Sequence, residues 1–337
     1  MNSLVADIGG TKTLLSVLEK STNGLTTRIE ARYPCDQFES FDDLLTDFYQ
    51  AYDIPKISYA CFAVAGPIIQ LSENHQTVNV TNLPWKLDNH CLQTKFDLPE
   101  LTLINDFQAI GYGVESLKNN QLVTLQTGKK QAKEPIAIIG AGTGLGQCFL
   151  YWNGNQYQVH ATEGGHVDFA PTNEEQLELL KWLQCETKPI AFEHVLSGPG
   201  IYKIYQFFAQ QYPSNQLEHL KVAEDPSAII SQLALTKKDP CAERTMKLFV
   251  ECYGSQAGNL ALSIVPKGGL FIAGGIASKI INLMTEAIFM TSFLHKDQMK
   301  SVLQTIPVHI VTDSNIGLMG AGVYSFIPQK DKFCLSR

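Results

Sequence analysis

Apolar runs of strand length alternate along this chain with segments whose apolar residues recur at helical spacing. Segments 4–7 and 13–18 are two such runs, joined by a glycine turn. A helix is predicted over 41–52, where Ser40 and Asp43 resemble a capping box. Further strands or apolar runs are predicted at 58–65, 77–80, 101–104, 136–139, 147–152, 268–273 and 308–311. This alternation predicts an α/β fold with mixed sheets flanked by helices.

The middle of the chain is more helical than its beginning. After a helix that ends near residue 114, helices are predicted at 173–183, 199–211, 240–265 and 315–326. The longest, 240–265, has Asp239 as its predicted N-cap and Pro240 at its first helical position. Its apolar residues keep helical spacing throughout, and this assigns the helix to a core.

A glycine–threonine turn occurs twice, each time directly after an apolar run. The first glycine turn comprises residues 7–12, and the second glycine turn comprises residues 140–144. Glycine permits positive φ and close backbone approach, so that successive N–H groups can converge on an anion, and the threonine hydroxyl adds a donor. Two such turns so far apart in sequence predict two lobes that grip one polyphosphate from opposite sides.

Composition narrows the classes of protein that fit. A chain of 337 residues with 45% hydrophobic and 18% charged residues is expected to form two globular domains. A formal net charge of −7 argues against nucleic acid as the primary partner. The 8 scattered cysteines indicate reduced thiols. With no room for a signal peptide and no apolar run of membrane-spanning length, we expect a cytoplasmic protein without membrane contact.

Two short polar motifs could carry chemistry. Asn105 and Asp106 directly follow a predicted strand, where an amide beside a carboxylate suits recognition of a polyol; alternatively, the aspartate simply caps the next helix. Glu163 and His166 flank two glycines, so that a carboxylate and an imidazole share one turn. This second motif could bind hydroxyl groups or be a structural turn, and no third ligand at conventional spacing supports a metal site.

Two further sites are less distinctive. Glu193 could supply another hydroxyl-binding carboxylate or be a solvated side chain. Gly274 and Gly275 follow an apolar strand, where they could admit an adenine base or form an ordinary strand-to-helix turn. Together with the two glycine turns, these motifs suggest a kinase that acts on a polyhydroxylated substrate.

The order and composition of these segments resemble the bacterial glucokinase family, within the superfamily of sugar kinases, actin and heat-shock ATPases. The matching segments are 7–11, 65–67, 81–82, 104–107, 140–146, 163–171, 195–200 and 271–275. The resemblance implies a two-lobed, actin-like (ribonuclease H-like) sugar kinase fold. It implies a small domain of residues 1–107 completed by the C-terminal helix 313–337, a large domain of residues 108–312, and an active site in the cleft between them.

The same resemblance implies roles for individual residues in the transfer of the ATP γ-phosphoryl group to the 6-hydroxyl of D-glucose. Asp106 matches the catalytic base, and Asp7 the carboxylate that holds Mg²⁺ through water. The residues that match binders of the other glucose hydroxyls are Asn105, Glu163, His166 and Glu193. The residues that match the ATP phosphate loops are Gly9, Gly10, Thr11, Gly142, Thr143 and Gly144. Gly274 and Gly275 fall near the adenosine pocket.

The chain departs from its relatives in three places. Lys12 stands where close relatives often carry asparagine, and could add a cation near the phosphates. Leu83 and Pro84 replace a polar pair and resemble the ROK sugar kinases. The cysteine-rich zinc signature of ROK proteins is missing, because Cys185 stands alone, so we expect a non-ROK enzyme without structural zinc. Relatives often form homodimers, and a homodimer is expected here.

Other functions remain open at this level. A kinase for another hexose or for an N-acetylated amino sugar would use the same machinery with a different pocket around Glu163 and His166. A non-catalytic sugar sensor would bind the ligand without turnover. An ATPase of the superfamily that moves a protein partner would leave the Asn105–Asp106 and Glu163–His166 motifs without an obvious purpose.

Overall fold

The helices and strands that were predicted lie close to their predicted positions, and the structure adds further elements, among them a strand at Tyr157–Thr162 and helices at Asn89–Phe96, Pro226–Leu235 and Ala287–Leu294. The structure, a computed structural model, describes residues 1–22, 24–185, 187–210, 212 and 216–328. Its strands are β1 (Asn2–Ile8), β2 (Lys12–Ser21), β3 (Gly24–Pro34), β4 (Tyr59–Val64), β5 (Ile69–Ser72), β6 (His75–Asn79), β7 (Lys86–Asp88), β8 (Leu101–Asn105), β9 (Leu122–Gln126), β10 (Ile136–Ala141), β11 (Leu145–Trp152), β12 (Tyr157–Thr162), β13 (Gly269–Ala273) and β14 (Val308–Val311). Its α-helices are α1 (Phe41–Ala51), α2 (Asn89–Phe96), α3 (Asp106–Val114), α4 (Glu174–Leu183), α5 (Gly198–Ala209), α6 (Leu217–Lys221), α7 (Pro226–Leu235), α8 (Pro240–Ile264), α9 (Gly275–Lys279), α10 (Ile281–Met284), α11 (Ala287–Leu294), α12 (Lys300–Leu303) and α13 (Ile316–Ser325).

Contacts divide the chain into two compact units. The first unit contains residues 1–118 together with the chain from Asn315 onward, and the second contains residues 119–314. The sequence analysis placed the corresponding divisions somewhat earlier, after residues 107 and 312. Of the predicted C-terminal helix 313–337, α13 accounts for Ile316–Ser325, and residues 329–337 lie outside the described part of the chain.

The central sheets of the two units share one strand pattern. In the first unit the order is β3-β2-β1-β4-β8, with β1 antiparallel to β2 and parallel to β4. In the second unit the order β12-β11-β10-β13-β14 repeats this arrangement, and β9 is added antiparallel beside β14. The predicted α/β class with mixed sheets is therefore confirmed.

Strand β3 has no counterpart in the prediction. It lies at the edge of the first sheet, where it pairs with β2 alone, and most of its side chains are exposed. Polar and charged residues occupy nearly half of its positions, and the continuous apolar run that reveals a buried strand does not develop.

The parallel strands bring distant segments to one edge of each sheet. In the first unit, Ile8 lies opposite Val64, and Val64 lies opposite Asn105. In the second unit, Gly140 lies opposite Ala273, so that the second glycine turn and the turn at Gly274 leave the sheet side by side. The carboxyl ends of such strands are where α/β folds place ligand groups.

Each unit has its own apolar core. The first is built on Phe41, Phe48 and Phe62, and α1 begins at the predicted Ser40 cap, whose hydroxyl accepts from the Asp43 N–H at 3.2 Å. The second surrounds α8, whose predicted cap Asp239 accepts from the Cys241 N–H at 2.8 Å. Across the described residues, no helix combines the length and apolar character needed to cross a membrane.

Helices α3 and α13 pack with their backbones in direct contact. A Cβ atom added to Gly320 would overlap the carbonyl oxygen of Ala109, and one added to Gly113 would overlap the carbonyl oxygen of Ile316. Glycine lacks a Cβ atom, so α13 lies closer to α3 than it could with any other residue at these two positions. This packing anchors the helix that begins with Asp106.

We expect Gly320→Ala to destabilise the protein by about 2 kcal/mol, because the new methyl group must displace a backbone carbonyl. Gly322→Ala, in the same helix, is the matched control: its Cβ would meet only the ends of the Leu18 and Leu25 side chains, which can move. Helix propensity favours alanine in both variants, so the control should stay within about 1 kcal/mol of the parent. Urea unfolding measures both; equal effects would contradict the close-packing argument.

Candidate active site

The first glycine turn closes β1 onto β2 in the first unit. The Gly9 N–H donates to the Lys12 carbonyl at 3.1 Å, and a Cβ on Gly10 would lie 3.2 Å from the Thr81 carbonyl oxygen. Neither glycine has a positive φ, so the residue type is required by close approach and not by backbone conformation. The side chains of Thr11 and Lys12 are exposed at the tip of the turn.

Asp7 lies at the buried end of β1, against the first turn of α13. A Cβ atom on Gly317 would lie only 3.1 Å from Oδ2 of Asp7, so this glycine leaves the space that the carboxylate occupies. The sequence analysis did not identify Gly317. The signal that could have found it is the set of glycines inside an apolar helix, which often marks a close approach.

The sequence left open whether Asp106 caps α3 or binds a ligand, and the structure shows that Asn105 is the cap. Asn105 is the N-cap of α3: its Oδ1 accepts from the N–H groups of Phe107 at 2.9 Å and Gln108 at 3.3 Å. Asp106 is the first helical residue, and its Oδ1 also accepts from the Phe107 N–H at 2.9 Å. The capping role considered for Asp106 therefore belongs to its neighbour, and the aspartate is held at the start of the helix.

The two aspartates are both costly to ionise. Burial raises the pKa of Asp7 to about 6, against the opposing positive charge of Lys12. Burial also raises the pKa of Asp106 to about 6, and the negative charge of Asp7 adds to this increase. Hydrogen bonding by the Phe107 N–H acts in the opposite direction on Asp106.

This pair of carboxylates fits a magnesium ion. Mg²⁺ retains several waters and is typically bound by one or two carboxylates together with substrate phosphates. Within the described ranges, no group of three or more histidine, cysteine, aspartate or glutamate side chains is placed to hold a metal. Asp7 could therefore hold a cation in part, with a phosphate-bearing ligand completing its coordination.

In the second unit, Glu163 and His166 project from a tight turn over β11. Cβ atoms on the two intervening glycines would overlap the Gln147 side-chain oxygen and the Leu145 carbonyl oxygen, respectively. The side chains of Glu163 and His166 are 83% and 61% exposed, with Oε2 and Nε2 3.9 Å apart. The turn thus presents both polar groups outward, as binding of a hydroxylated ligand requires.

Glu193 is not a solvated side chain. Its Oε2 accepts from the Leu145 N–H at 2.8 Å, and a Cβ on Gly144 would lie 2.5 Å from the same oxygen. The Phe192 N–H also donates to the Val167 carbonyl at 2.9 Å, which joins the Glu193 segment to the segment carrying Glu163 and His166. The structure therefore brings these three predicted residues together and ties them to the second glycine turn.

The second glycine turn is held by two backbone hydrogen bonds, one within the turn and one from Gly198. The Gly142 N–H donates to the Gly144 carbonyl at 2.8 Å, and the Gly198 N–H donates to the Gly142 carbonyl at 2.8 Å. The side chain of Thr143 is exposed, and a Cβ on Gly142 would meet no atom within 4 Å. The backbone of the turn is therefore fixed while its outer side stays open.

Gly274 and Gly275 connect β13 to α9 beside that turn. Gly274 has a φ of +84°, and a Cβ there would lie 2.6 Å from the Ala141 carbonyl oxygen, so both conformation and space require glycine. Gly275 is exposed, and a Cβ there would have no neighbour within 4 Å. This geometry leaves a flat approach to the backbone at Gly275.

Comparison with known proteins gives one consistent result. A sequence profile described as glucokinase matches residues 4–326. The glucokinase of Nostoc punctiforme is 43% identical over 337 aligned residues, covering 95% of this chain and 97% of that protein. The crystal structure of a glucokinase from an Antarctic psychrotroph matches with a TM-score of 0.80 and 31% identity, covering 96% of this chain and 98% of the other. A glucokinase from Balamuthia mandrillaris in complex with glucose, at 22% identity and a TM-score of 0.78, covers 96% of this chain and 93% of its own, and supports the fold alone.

We expect Asp106→Asn to stabilise the protein at pH 8 by about 1–3 kcal/mol, measured by thermal or urea unfolding without divalent cations. Because the folded-state pKa of about 6 exceeds the unfolded value, ionisation of Asp106 costs stability above pH 6. The folded state binds the proton more tightly, so this cost disappears as the pH falls from 6 to 4, and the advantage of the neutral amide should disappear with it.

Asp53→Asn, at an exposed aspartate in the same unit, is the control and should change stability little at either pH. An Asp106→Asn variant that is less stable than the parent at pH 8, or a difference independent of pH, would contradict the buried-charge account.

Proposed function

Because the chain belongs to the glucokinase family, we propose that Asp106 is the base that activates the 6-hydroxyl of D-glucose for attack on ATP. The protein is an ATP-dependent hexose kinase, which transfers the γ-phosphoryl group of ATP to glucose and yields glucose 6-phosphate and ADP. The observation that carries the residue assignment is the half-buried carboxylate of Asp106, held by α3 at the same end of the sheet as Asp7.

The surroundings of Asp106 suit a proton acceptor. An exposed aspartate is a weak base, but burial and the charge of Asp7 raise the pKa of Asp106 to about 6. Phosphoryl transfer passes through a loose transition state, in which the attacking hydroxyl needs its proton removed only late. Asp106 can therefore orient the hydroxyl first and accept the proton as the new bond forms.

The other sugar hydroxyls are assigned to Asn105, Glu163, His166 and Glu193. Carboxylate oxygens accept from hydroxyl groups, and an imidazole can donate or accept according to its tautomer. Because Oδ1 of Asn105 caps α3, this residue is left to bind the sugar through Nδ2, whose contact with the Gly66 carbonyl is long at 3.5 Å. Glu193 uses Oε2 for the Leu145 N–H, so it would meet the sugar mainly through Oε1.

The nucleotide is assigned to the two glycine turns. The Gly9 and Gly142 N–H groups are used inside their own turns, so the N–H groups of Gly10, Thr11, Thr143 and Gly144 would bind the phosphates, with Lys12 adding a positive charge. The adenosine moiety would approach Gly274 and Gly275. On this proposal the polar groups of both units act on one pair of substrates, in line with the predicted division into domains 1–107 with 313–337 and 108–312.

Asp7 would hold Mg²⁺, through water, at the phosphates. When bound, the ion neutralises the charge of the polyphosphate and of the transferring group. A cation there would also relieve the repulsion between the Asp7 and Asp106 carboxylates. The homodimer and the cytoplasmic location stay predictions, and light scattering of the purified protein tests the first of them.

We expect ADP release with Mg-ATP to require glucose, and Asp106→Asn to lower kcat about 10²- to 10⁴-fold with little change in glucose affinity. A coupled assay across glucose, mannose, fructose and N-acetylglucosamine, with glucose binding measured by calorimetry, provides both readouts. Near-normal turnover in the variant would refute the base assignment. Release with another sugar would change the substrate, and binding without any release would favour the sensor.

We expect Gly144→Ala and Gly142→Ala to affect different substrates. The methyl group added by Gly144→Ala would press on Glu193, which should raise the KM for glucose more than the KM for ATP. The methyl group added by Gly142→Ala would meet no protein atom but would occupy the open side where phosphates are proposed to bind, so the KM for ATP should rise instead. Steady-state kinetics with each substrate varied in turn measures both. Equal changes in both variants would contradict the assignment of Glu193 to the sugar and the turn to the nucleotide.

A further inference from the structure

We propose that the hydroxyl of Tyr253 positions the second glycine turn for binding the phosphates of a nucleoside triphosphate. The inference rests on the proposed function in one respect, namely that this turn binds the nucleotide. Tyr253 itself touches no proposed substrate position, so it is a positioning residue and not a catalytic one.

Tyr253 is a polar side chain inside the core of the second unit. It lies on α8 and is 0% exposed. Its ring packs edge-on against Phe249 and Phe289, with centroids 5.8 and 6.0 Å away. Its hydroxyl oxygen accepts from the N–H of Ala141 at 3.0 Å. This hydrogen bond compensates for burying the polar hydroxyl in apolar surroundings.

That partner lies where β13 no longer pairs with β10, although Ala141 is still paired with Leu145 of β11 on the other side. The ladder between β10 and β13 ends at the pair Gly140 and Ala273, because the chain turns away at Gly274 with a φ of +84°. Ala141, the next residue of β10, is fully buried, so water cannot satisfy its N–H. Tyr253 supplies the acceptor for this N–H, at the point where the second glycine turn and the turn at Gly274 separate.

This hydrogen bond fixes the backbone directly before the phosphate-facing residues. Gly142 follows Ala141, and rotation of the Ala141 peptide would redirect the N–H groups of residues 142–144. The Gly142 carbonyl is held by Gly198 and the Leu145 N–H by Glu193, so Tyr253 supplies the constraint at the start of the turn. Small displacements of groups that bind a reacting phosphate have large effects on binding and rate.

The test compares Tyr253→Phe with Tyr205→Phe in the full-length chain. Tyr205 is also 0% exposed, and its hydroxyl donates to Oδ2 of Asp239 at 2.6 Å, at the start of α8. Each variant removes one buried hydroxyl and keeps its ring. We expect Tyr253→Phe to raise the KM for ATP and the Kd for Mg-ADP about fivefold, with the KM for glucose changed less than about twofold. Tyr205→Phe should leave all three constants within about twofold of the parent.

Several outcomes would overturn the inference. The first is a KM for ATP and a Kd for Mg-ADP that are unchanged in Tyr253→Phe. The second is an equal rise of these constants in both variants, and the third is an equal rise in the KM values for glucose and ATP. The second and third would indicate general loosening of the fold. Amide exchange provides a measurement independent of the variants: in the parent, the Ala141 N–H should exchange slowly, and fast exchange would also overturn it.

Failure of the proposed function would look different. If the parent binds Mg-ADP but releases no ADP with any sugar, the kinase assignment fails. Weaker Mg-ADP binding in Tyr253→Phe alone would then still support the positioning role. If the parent binds no nucleotide, both proposals fail together.

Discussion

Two half-buried carboxylates, Asp7 and Asp106, lie close enough to repel each other, and this is the constraint on which the first unit depends. A carboxylate removed from water without a full complement of partners favours its neutral form, and the pKa values of Asp7 and Asp106 both rise to about 6. Such a pair is a cost to stability above pH 6. On the proposed function both groups have a use, because Asp7 would hold a cation and Asp106 would accept a proton.

The second unit repeats the sheet of the first but places a different kind of group at its ligand edge. The first sheet ends in the first glycine turn beside the carboxylates of Asp7 and Asp106, whereas the second ends in the second glycine turn and the turn at Gly274. Glycine there serves mainly to let chain segments touch: Gly144 makes room for Glu193, and Gly165 for the backbone of β11. One strand arrangement thus presents different side chains and turns at the carboxyl ends of its parallel strands in the two units.

The sequence predicted the elements well where burial imposes a pattern. Strand β14 and helix α8 lie within a residue of their expected bounds, and the caps Ser40 and Asp239 are confirmed. Three features could not be predicted, for separate physical reasons. The edge strand β3 lacks an apolar pattern. Asparagine and aspartate cap helices equally well, so composition could not assign the cap to Asn105. The Glu193 bond to Leu145 joins segments that only the tertiary fold brings together.

The position of Asp106 is determined by parts of the chain that are far apart in sequence. Asn105 fixes where α3 begins, and the register of β8 against β4 fixes where that cap lies in the sheet. Further along α3, the Ala109 carbonyl rests on Gly320 of α13, while Gly317 of the same helix makes room for Asp7. A single glycine-bearing helix, α13, therefore sets the surroundings of both half-buried carboxylates. Substitutions in α13 can consequently alter the reaction without contacting a substrate, because the helix determines where the proposed base and the proposed metal ligand are held.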